Sequence, residues 1–437
     1  MRTGRLLNNK TVKNAGWIIA GKVMQMVLSF FISILTARFL GPSNYGIINY
    51  VNAFFAVFSS ICTLGLENII VKELVAAPDQ QGETMGTVIL LETICSVLCI
   101  ISMTALIGIA NEFSRLYMVI SLLYSLSLLF RGIESINYWF QYKLLSKVSS
   151  IAGIIAYIFM SAYRVFLLAT NKSIEWFALS NTIDAIVLAA LLFIVFRRNF
   201  KGRLSFSLSK AGKLLSKSYH YILAGIMIMI YLQTDKIMLK HMVDEATVGN
   251  YAVATRITTI WVFVLTAITD SVRPTLFAEY GRDRTSFFNK LQMLYSVILY
   301  VSFAVAVFFL LFGDFVILKL YGENYIQSAL FIKIISWGTG FSYVGNARNI
   351  YSLSNGLEKY EKHMALIGML LNIVLNYVLI RRIGAKGAAV ATVVTQIFIN
   401  YIVMFLIKPL KENGMAITRA LNPLSAIRFA KGYLNKE

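Results

Sequence analysis

Twelve apolar stretches, each about 20 residues long and separated mostly by short polar segments, run along this 437-residue chain. A helix needs about 20 consecutive apolar residues to cross the hydrocarbon core of a bilayer. The pattern therefore predicts an all-α polytopic membrane protein, and a hydrophobic content of 58% agrees with it. The spans are predicted at 14–36, 46–67, 85–109, 116–137, 148–169, 174–196, 219–240, 249–272, 290–313, 326–350, 362–380 and 387–407.

Positive charge predicts the orientation of these spans. If the N-terminus is cytoplasmic, 26 Lys and Arg residues fall on the cytoplasmic side and eight on the other side. Cytoplasmic loops are the ones enriched in Lys and Arg, and an even number of spans then places both termini in the cytoplasm. The net charge of +20 is therefore largely an orientation signal, and it does not indicate nucleic-acid binding.

A long basic loop near the middle of the chain divides the spans into two sets of six. We predict an N-lobe at 1–196, a basic cytoplasmic linker at 197–218, a C-lobe at 219–407 and a basic cytoplasmic tail at 408–437. At an offset of 203 residues, Tyr45-Gly46 falls on Val248-Gly249 and Glu67 falls on Asp270. Copies six spans apart share one orientation, so the lobes are predicted to be a parallel repeat related by a pseudo-two-fold axis.

Proline placement predicts long, uninterrupted helices. All five prolines fall in predicted loops, at span edges or in the tail. Transporters that bind ions at broken helices are therefore a poorer match.

Basic residues within the spans are the main candidates for substrate binding, because a charge in the membrane is costly unless it faces water or a partner. For Lys22 and Arg256 we favour an anionic ligand such as pyrophosphate. A snorkelling or ion-paired structural role is the alternative for every member of the set. The set comprises Lys22, Arg131, Arg164, Lys236, Arg256 and Lys333, with Arg348 near a predicted cytoplasmic end.

Carboxylates within or at the ends of the spans are the candidates for ion coupling. Asp184, well inside the sixth span, is the strongest, and Asp235, Glu67 and Asp270 are the others. Arg131 and Glu134 share one helix face and are expected to pair. Asp235 and Lys236 are adjacent and point in different directions, so each is expected to find its partner on another helix.

Catalytic and cofactor motifs are missing from the sequence. There is no GxxxxGK[ST] loop, HExxH, GxSxG or paired-cysteine motif, and the three cysteines lie in predicted spans without metal-ligand spacing. The predicted extramembrane loops are too short for a catalytic domain. We predict a transporter with no resident metal or cofactor apart from a coupling proton or sodium ion.

Four short motifs resemble the polysaccharide branch of the multidrug/oligosaccharidyl-lipid/polysaccharide exporter superfamily, which includes flippases of O-antigen and other lipid-linked oligosaccharides. Their order and spacing within twelve spans carry the resemblance. The motifs are Ala37–Pro42 (ARFLGP) followed by Tyr45-Gly46, Gln233–Leu239 (QTDKIML), Val248–Ala252 (VGNYA) and Gly384–Ala389 (GAKGAA).

The resemblance implies two six-helix lobes in a V around a central cavity that opens alternately to each side. It implies transport of a polyprenyl-pyrophosphate-linked glycan across a bacterial inner membrane, with Lys22, Arg256 and Arg38 among the residues that meet the pyrophosphate. A polysaccharide polymerase and chain-length proteins would be possible partners. The alternatives are a cation-coupled multidrug antiporter of the same superfamily, and a membrane-embedded sugar polymerase or ligase.

Overall fold

The computed structural model describes the backbone of residues 10–423, with side chains described for Gly21 and from Val23 onwards. Over these residues the regular secondary structure is helical, without a strand. The α-helices are α1 (Lys10–Cys62), α2 (Ile70–Ala76), α3 (Gln81–Ala110), α4 (Arg115–Ser125), α5 (Arg131–Glu134), α6 (Ile136–Tyr142), α7 (Ser146–Ala169), α8 (Ile174–Asn199), α9 (Leu208–Met242), α10 (Glu245–Ile260), α11 (Val262–Tyr280), α12 (Arg284–Tyr321), α13 (Gln327–Ser354), α14 (Glu358–Ile383), α15 (Lys386–Ile397), α16 (Val403–Leu406) and α17 (Lys411–Leu421).

Each of the twelve predicted spans corresponds to a helix or to a run of consecutive helices, which confirms the predicted fold class. Ten helices in the described part are long and apolar enough to cross a membrane. The number is lower than twelve partly because α1 contains the first two spans. The tenth span, α13, is not among the ten, since serines, threonine, asparagines and two cations interrupt its apolar residues. Many of its polar residues, such as Ser328, Ser336 and Arg348, are buried by neighbouring helices.

Gly41 explains how one helix can hold two spans. A straight 53-residue helix would be about 80 Å long, far more than the ~30 Å hydrocarbon core. Gly41 has φ 72° and ψ 170°, a conformation almost restricted to glycine, and it kinks α1 between the two predicted spans. Pro42 follows directly and supplies no backbone donor, so the break falls within the ARFLGP motif.

The prediction of uninterrupted helices is wrong at the fourth, eighth and twelfth spans. The eighth is divided at Trp261, between α10 and α11. The fourth runs through α4, a 3₁₀ turn at Leu126–Phe130, α5 and α6, and the twelfth contains a π-helical turn at Phe398–Ile402. In the fourth span, the hydroxyls of Ser125 and Ser127 donate to backbone carbonyls three residues earlier, which competes with regular helical bonding.

Pro42 lies directly after the kink at Gly41, where two helices meet, so it is at a span edge as predicted. Pro274, in contrast, lies inside a helix, α11. Pro274 is helical because α11 continues to Tyr280, beyond the apolar segment from which the end of the eighth span was predicted.

The described chain divides into two compact units, one ending at Gln233 and the other beginning at Thr234. We call them unit 1 and unit 2. The division falls within α9. In unit 1, one hydrophobic cluster forms around Trp139, whose ring packs edge-on against Phe196 and whose Nε1 donates to Gln81 Oε1 at 3.1 Å.

Unit 2 is organised around α12 and α13, which pack along each other and share one hydrophobic cluster. The amphipathic helix α17 covers part of α12, and Tyr295 donates to Asn413 Oδ1 at 2.6 Å across this contact. Arg284 of α12 pairs with Glu412 of α17 at 2.8 Å. The first part of the predicted tail therefore contains a helix that packs within unit 2.

The segment 200–207, within the predicted linker, packs against the start of α3. Ser205 N–H donates to Gly82 O at 3.3 Å, and Ser207 N–H donates to Thr87 Oγ1 at 3.1 Å. A Cβ at Gly86 would lie 2.4 Å from Ser205 O, so this close approach requires glycine.

Candidate functional site

A polar cavity of about 350 Å³ lies within unit 1. Helices α1, α3, α5, α6 and α7 contribute to its wall. Among the described residues, three carboxylates and one guanidinium face it together with nine neutral polar side chains, so the formal charge of this described lining is negative. The charged residues are Glu67, Glu92, Glu134 and Arg131; the neutral ones are Gln25, Thr63, Ser135, Asn137, Tyr138, Gln141, Ser146, Ser149 and Ser150.

The predicted Arg131–Glu134 pair forms in this cavity, with Nη1 donating to Glu134 Oε2 at 2.8 Å. The short helix α5 places both side chains on one face, and the Arg131 guanidinium also lies 5.8 Å from the Phe55 ring centroid. Gly132 lies between them, where a Cβ would come within 2.6 Å of Ile89 O. This close contact between α5 and α3 holds the pair beside α3.

Asp184 lies in a second polar cavity of about 190 Å³ in unit 1, next to the first. Arg131, Glu134 and Leu188 line both cavities. Asn181 anchors this region by donating to Ser127 Oγ at 2.9 Å. The structure therefore brings the predicted residues Asp184, Arg131 and Glu67 into one connected polar region.

Glu92 is the most buried carboxylate of this region, with 1% of the residue exposed. Ser135 Oγ donates to its Oε2 at 2.6 Å. Its Oε1 is inaccessible and has no hydrogen-bond partner in the described structure. Such an atom calls for an explanation, because buried polar groups in proteins are almost always hydrogen-bonded.

Glu67 lies at a more exposed part of the first cavity. It belongs to a 3₁₀ turn, Leu66–Asn68, that follows Gly65 with φ 60°. Tyr138 donates its hydroxyl to Glu67 Oε2 at 3.2 Å. The cavity thus contains one exposed carboxylate, one paired carboxylate and one fully buried carboxylate.

A different cluster surrounds Asp235 in unit 2, where only 6% of the residue is exposed. Its Oδ1 accepts from Asn376 Nδ2 at 2.7 Å, and its Oδ2 accepts from Thr392 Oγ1 at 2.5 Å and from the Tyr251 hydroxyl. Three helices other than its own thus supply the donors, which confirms that Asp235 finds its partners on other helices.

The Asp235 cluster contains oxygen ligands of the kind that hard cations prefer. Asn376 Nδ2 also donates to Asn372 Oδ1 at 3.1 Å, while Asn376 Oδ1 is buried and has no hydrogen-bond partner in the described structure. No group of three or more His, Cys, Asp or Glu residues suited to a metal ion occurs among the described residues.

Two predicted cations lie beside this cluster. Lys236, half-buried on α9, is close enough to both Asp235 and Arg256 for electrostatic interaction. Arg256 is exposed on α10, although Tyr251, Ala252, Val253 and Ala254 one turn earlier are buried.

Several other predicted site residues have local partners. Lys333 pairs with Asp314 at 2.6 Å, and Asp270 pairs with Arg273 at 3.3 Å with its side chain 56% exposed. Arg164 Nε donates to Ser180 Oγ at 3.2 Å.

The remaining candidates have less defined surroundings. Arg38 is exposed, three residues before the kink in α1. The side chain of Lys22 lies outside the described residues. The structure therefore gives no geometry for the predicted contribution of Lys22 to anion binding.

The sequence prediction did not identify Tyr251, Asn372, Asn376 or Thr392. Asn372 and Asn376 are four residues apart in an otherwise apolar helix, so they share a face. This spacing of two side-chain amides was the feature of the sequence that could have identified them as site residues. Thr392 carried none, since threonine is common in membrane helices, and Tyr251 stood out only as part of the VGNYA motif.

Comparisons with known proteins agree with this architecture. A family model described as a polysaccharide biosynthesis protein matches residues 11–280. An Escherichia coli (strain K12) protein named "Putative O-antigen transporter" is 20% identical over 389 residues, covering 85% of this chain and 90% of its own length.

Solved structures show the same fold. The lipid II flippase MurJ in an inward closed conformation has a TM-score of 0.74 at 15% identity, over 96% of this chain and 92% of that chain. An inward-facing multidrug resistance MATE family transporter of the MOP superfamily has a TM-score of 0.69 at 14% identity, over 91% of this chain and 96% of that chain. At these identities the structural likeness shows the fold alone.

Proposed function

The chain belongs to the polysaccharide biosynthesis protein family, and from this premise we propose that it is a flippase for a polyprenyl-pyrophosphate-linked oligosaccharide. The cargo would be the repeat unit of O-antigen or a similar surface polysaccharide. Transport would cross the bacterial inner membrane by alternating access, with both termini in the cytoplasm. A polymerase and chain-length proteins would use the product on the far side.

The pair of cations in unit 2 carries this proposal. Lys236 and Arg256 lie near each other on membrane helices, and Arg256 is exposed on α10. Two like charges in a membrane protein are stabilised by an anion between them. A guanidinium binds phosphate oxygens through two parallel hydrogen bonds, so Arg256 suits a pyrophosphate.

The cavity of unit 1 is a poor site for the same headgroup. Arg131 is already paired with Glu134, and Glu67 and Glu92 line the same space. Like charges would repel an approaching pyrophosphate. We therefore assign Arg131 to charge balance within unit 1 and place pyrophosphate recognition on Lys236 and Arg256.

The test uses a host whose surface glycan depends on this gene. Deletion should abolish the surface polymer and cause the intact lipid-linked repeat unit to accumulate on the cytoplasmic leaflet. The wild-type gene and an Arg282→Ala control, which alters an exposed cation between α11 and α12, should restore the polymer. Arg256→Ala and Lys236→Ala should not restore it, and Arg256→Lys should restore it in part, because lysine keeps the charge but loses the bidentate geometry.

The proposal fails if deletion leaves the surface glycan unchanged. It also fails if a correctly inserted Lys236→Ala/Arg256→Ala double variant restores the polymer fully. Membrane insertion is checked by the amount of protein in the membrane fraction.

We also propose that the Asp235 cluster holds a coupling cation in unit 2. The buried carboxylate, the carboxamide oxygens of Asn372 and Asn376, and the hydroxyl of Thr392 are the ligands that sodium would use. Asp235→Asn should remove the dependence of transport on sodium, and wild-type transport that is insensitive to sodium would contradict this assignment.

One observation supports the multidrug antiporter as a second candidate. The acidic cavity of unit 1 suits a cation better than an anion. An antiporter requires the deletion strain to become sensitive to cationic drugs while its surface glycan is unchanged, which is the opposite of the result expected for the flippase.

A further inference from the structure

We propose that Glu92 in unit 1 is a proton-binding site that takes up and releases a proton during the transport cycle. The proton-binding site itself can be tested without any transport assay. Its role in the cycle rests on the flippase function proposed above.

The first argument is the incomplete hydrogen bonding of Glu92. Its Oε2 has one donor, the Ser135 hydroxyl at 2.6 Å, and its Oε1 is inaccessible and has no hydrogen-bond partner in the described structure. An ionised carboxylate needs donors or a cation at both oxygens when it is removed from water. The neutral acid does not, since its O–H can donate to Ser135 Oγ across the same contact and leave Oε1 as a carbonyl oxygen.

The second argument is the charge around Glu92. Among the described residues, the charged groups that act on it are Arg131, Glu134 and Glu67, one cation and two carboxylates. Arg131 is already bonded to Glu134 at 2.8 Å. Ionised neighbours therefore disfavour a third carboxylate charge, and protonation of Glu92 relieves the repulsion.

The geometry favours a proton over a metal cation. A hard metal ion gathers several oxygen ligands around it, and Oε1 of Glu92 has no hydrogen-bond partner among the described residues. The Asp235 cluster in unit 2 shows the contrasting arrangement, with amide and hydroxyl groups converging on the carboxylate. A proton needs no such shell.

The surroundings of Glu92 provide a path for the proton and a cation that can respond to its release. The cavity that Glu92 lines also contains Glu67 and the polar side chains through which water could exchange a proton. When Glu92 releases its proton to this water, Arg131 is the nearby cation that can partner the new carboxylate. Arg131 has 31% of its side chain exposed and can move. A shift of Arg131 toward Glu92 would release Glu134 toward the second cavity and Asp184.

Infrared difference spectroscopy between low and high pH tests the site directly, on the purified full-length protein in lipid nanodiscs. The wild type should show a carboxylic-acid C=O band that disappears at high pH. Glu92→Gln should lose this band, and Glu83→Gln, a matched change near the start of the same helix, should keep it. An unchanged band in Glu92→Gln would overturn the proposal.

A second variant covers the case in which Glu92→Gln does not fold. Ser135→Ala removes the hydroxyl that contacts Oε2, so the C=O band of Glu92 should shift in frequency while remaining titratable. A spectrum identical to that of the wild type would contradict the assignment.

The glycan assay separates this inference from the proposed function. If Glu92 titrates but deletion of the gene leaves the surface glycan intact, the proton site stands and the flippase function fails. Another outcome is that deletion blocks the glycan while the Glu92→Gln variant keeps the titratable C=O band and restores the polymer like the wild type. In that case the flippase function stands and the proton site fails. If both hold, Glu92→Gln should cause loss of the polymer and Glu83→Gln should not.

Discussion

Units 1 and 2 both bury carboxylates in membrane helices, but they complete the hydrogen bonding of those carboxylates to different degrees. In unit 2, Asp235 accepts from Asn376, Thr392 and Tyr251. In unit 1, Glu92 accepts from Ser135 alone and lines an open polar cavity. A carboxylate whose two oxygens are both hydrogen-bonded is held rigidly. A carboxylate with incomplete hydrogen bonding can change its protonation state more easily.

The charge of the two regions differs in the same way. Unit 1 gathers three carboxylates around one arginine that is already paired, and unit 2 places Lys236 and Arg256 beside a carboxylate that is already bonded. The described cavity of unit 1 is therefore suited to protons or cations, and the region of Lys236 and Arg256 in unit 2 to an anionic headgroup.

The largest effect on stability is expected at Asp235. Asp235→Ala would leave donors on three helices without their acceptor, at a cost of about 3 kcal/mol in the free energy of unfolding. Glu92→Ala, which leaves only the Ser135 hydroxyl, should cost about 1 kcal/mol. Thermal unfolding of the purified variants measures both losses of stability. Equal losses would remove the contrast between the fully hydrogen-bonded Asp235 and the incompletely hydrogen-bonded Glu92.

Gly86→Ala should have the next largest effect on stability, because its Cβ would lie 2.4 Å from Ser205 O and displace the segment 200–207 from α3. Overpacking of this kind costs about 1–3 kcal/mol. Gly212→Ala in α9 is the control, since a Cβ there meets no atom within 4 Å and alanine favours a helix. If Gly86→Ala is as stable as Gly212→Ala, this segment is not held against unit 1.

Glu134→Gln should have a smaller effect on stability, about 0.5 kcal/mol, because the Arg131–Glu134 pair is partly exposed. Its effect on Glu92 is more informative. With Arg131 released from Glu134, the Glu92 carboxylate gains a cation, so its infrared C=O band should disappear at lower pH than in the wild type. A band that titrates as before would show that Arg131 does not respond to Glu92.

The smallest effect is expected at Lys333. Its pair with Asp314 has 25% and 58% of the two side chains exposed, so Lys333→Ala should change stability by less than about 0.5 kcal/mol. It should also support normal surface glycan, in contrast to Lys236→Ala. Loss of the glycan with Lys333→Ala would extend the anion site of unit 2 beyond Lys236 and Arg256.

The sequence predicted much of the fold because hydrocarbon imposes a simple rule on length and polarity. Twelve apolar stretches became helices or runs of helices close to their predicted positions, and Gly41-Pro42 marked the kink in α1. The break in the fourth span was missed, since it depends on serine hydroxyls bonding backward to the backbone rather than on a proline.

The candidate site was predicted less completely. Asp235, Asp184, Glu67 and Arg131 stood out because charges are rare in apolar helices. The partners of Asp235 did not, since threonine, tyrosine and asparagine are tolerated in many membrane helices. Whether such a residue is lipid-facing or bonded to a carboxylate depends on which helices become neighbours.

By itself, the sequence determined the all-helical membrane fold, the positions of the spans and the excess of positive charge, because each follows from local composition. Only the tertiary structure decided which charged side chains form ion pairs, which have all their hydrogen bonds and which have incomplete hydrogen bonding. Arg131 met Glu134 within one turn, a local event, but Asp235 met Asn376 and Thr392 across about 140–160 residues. The environment of a buried carboxylate is set by side chains distant in sequence, so its role emerges only when the helices pack.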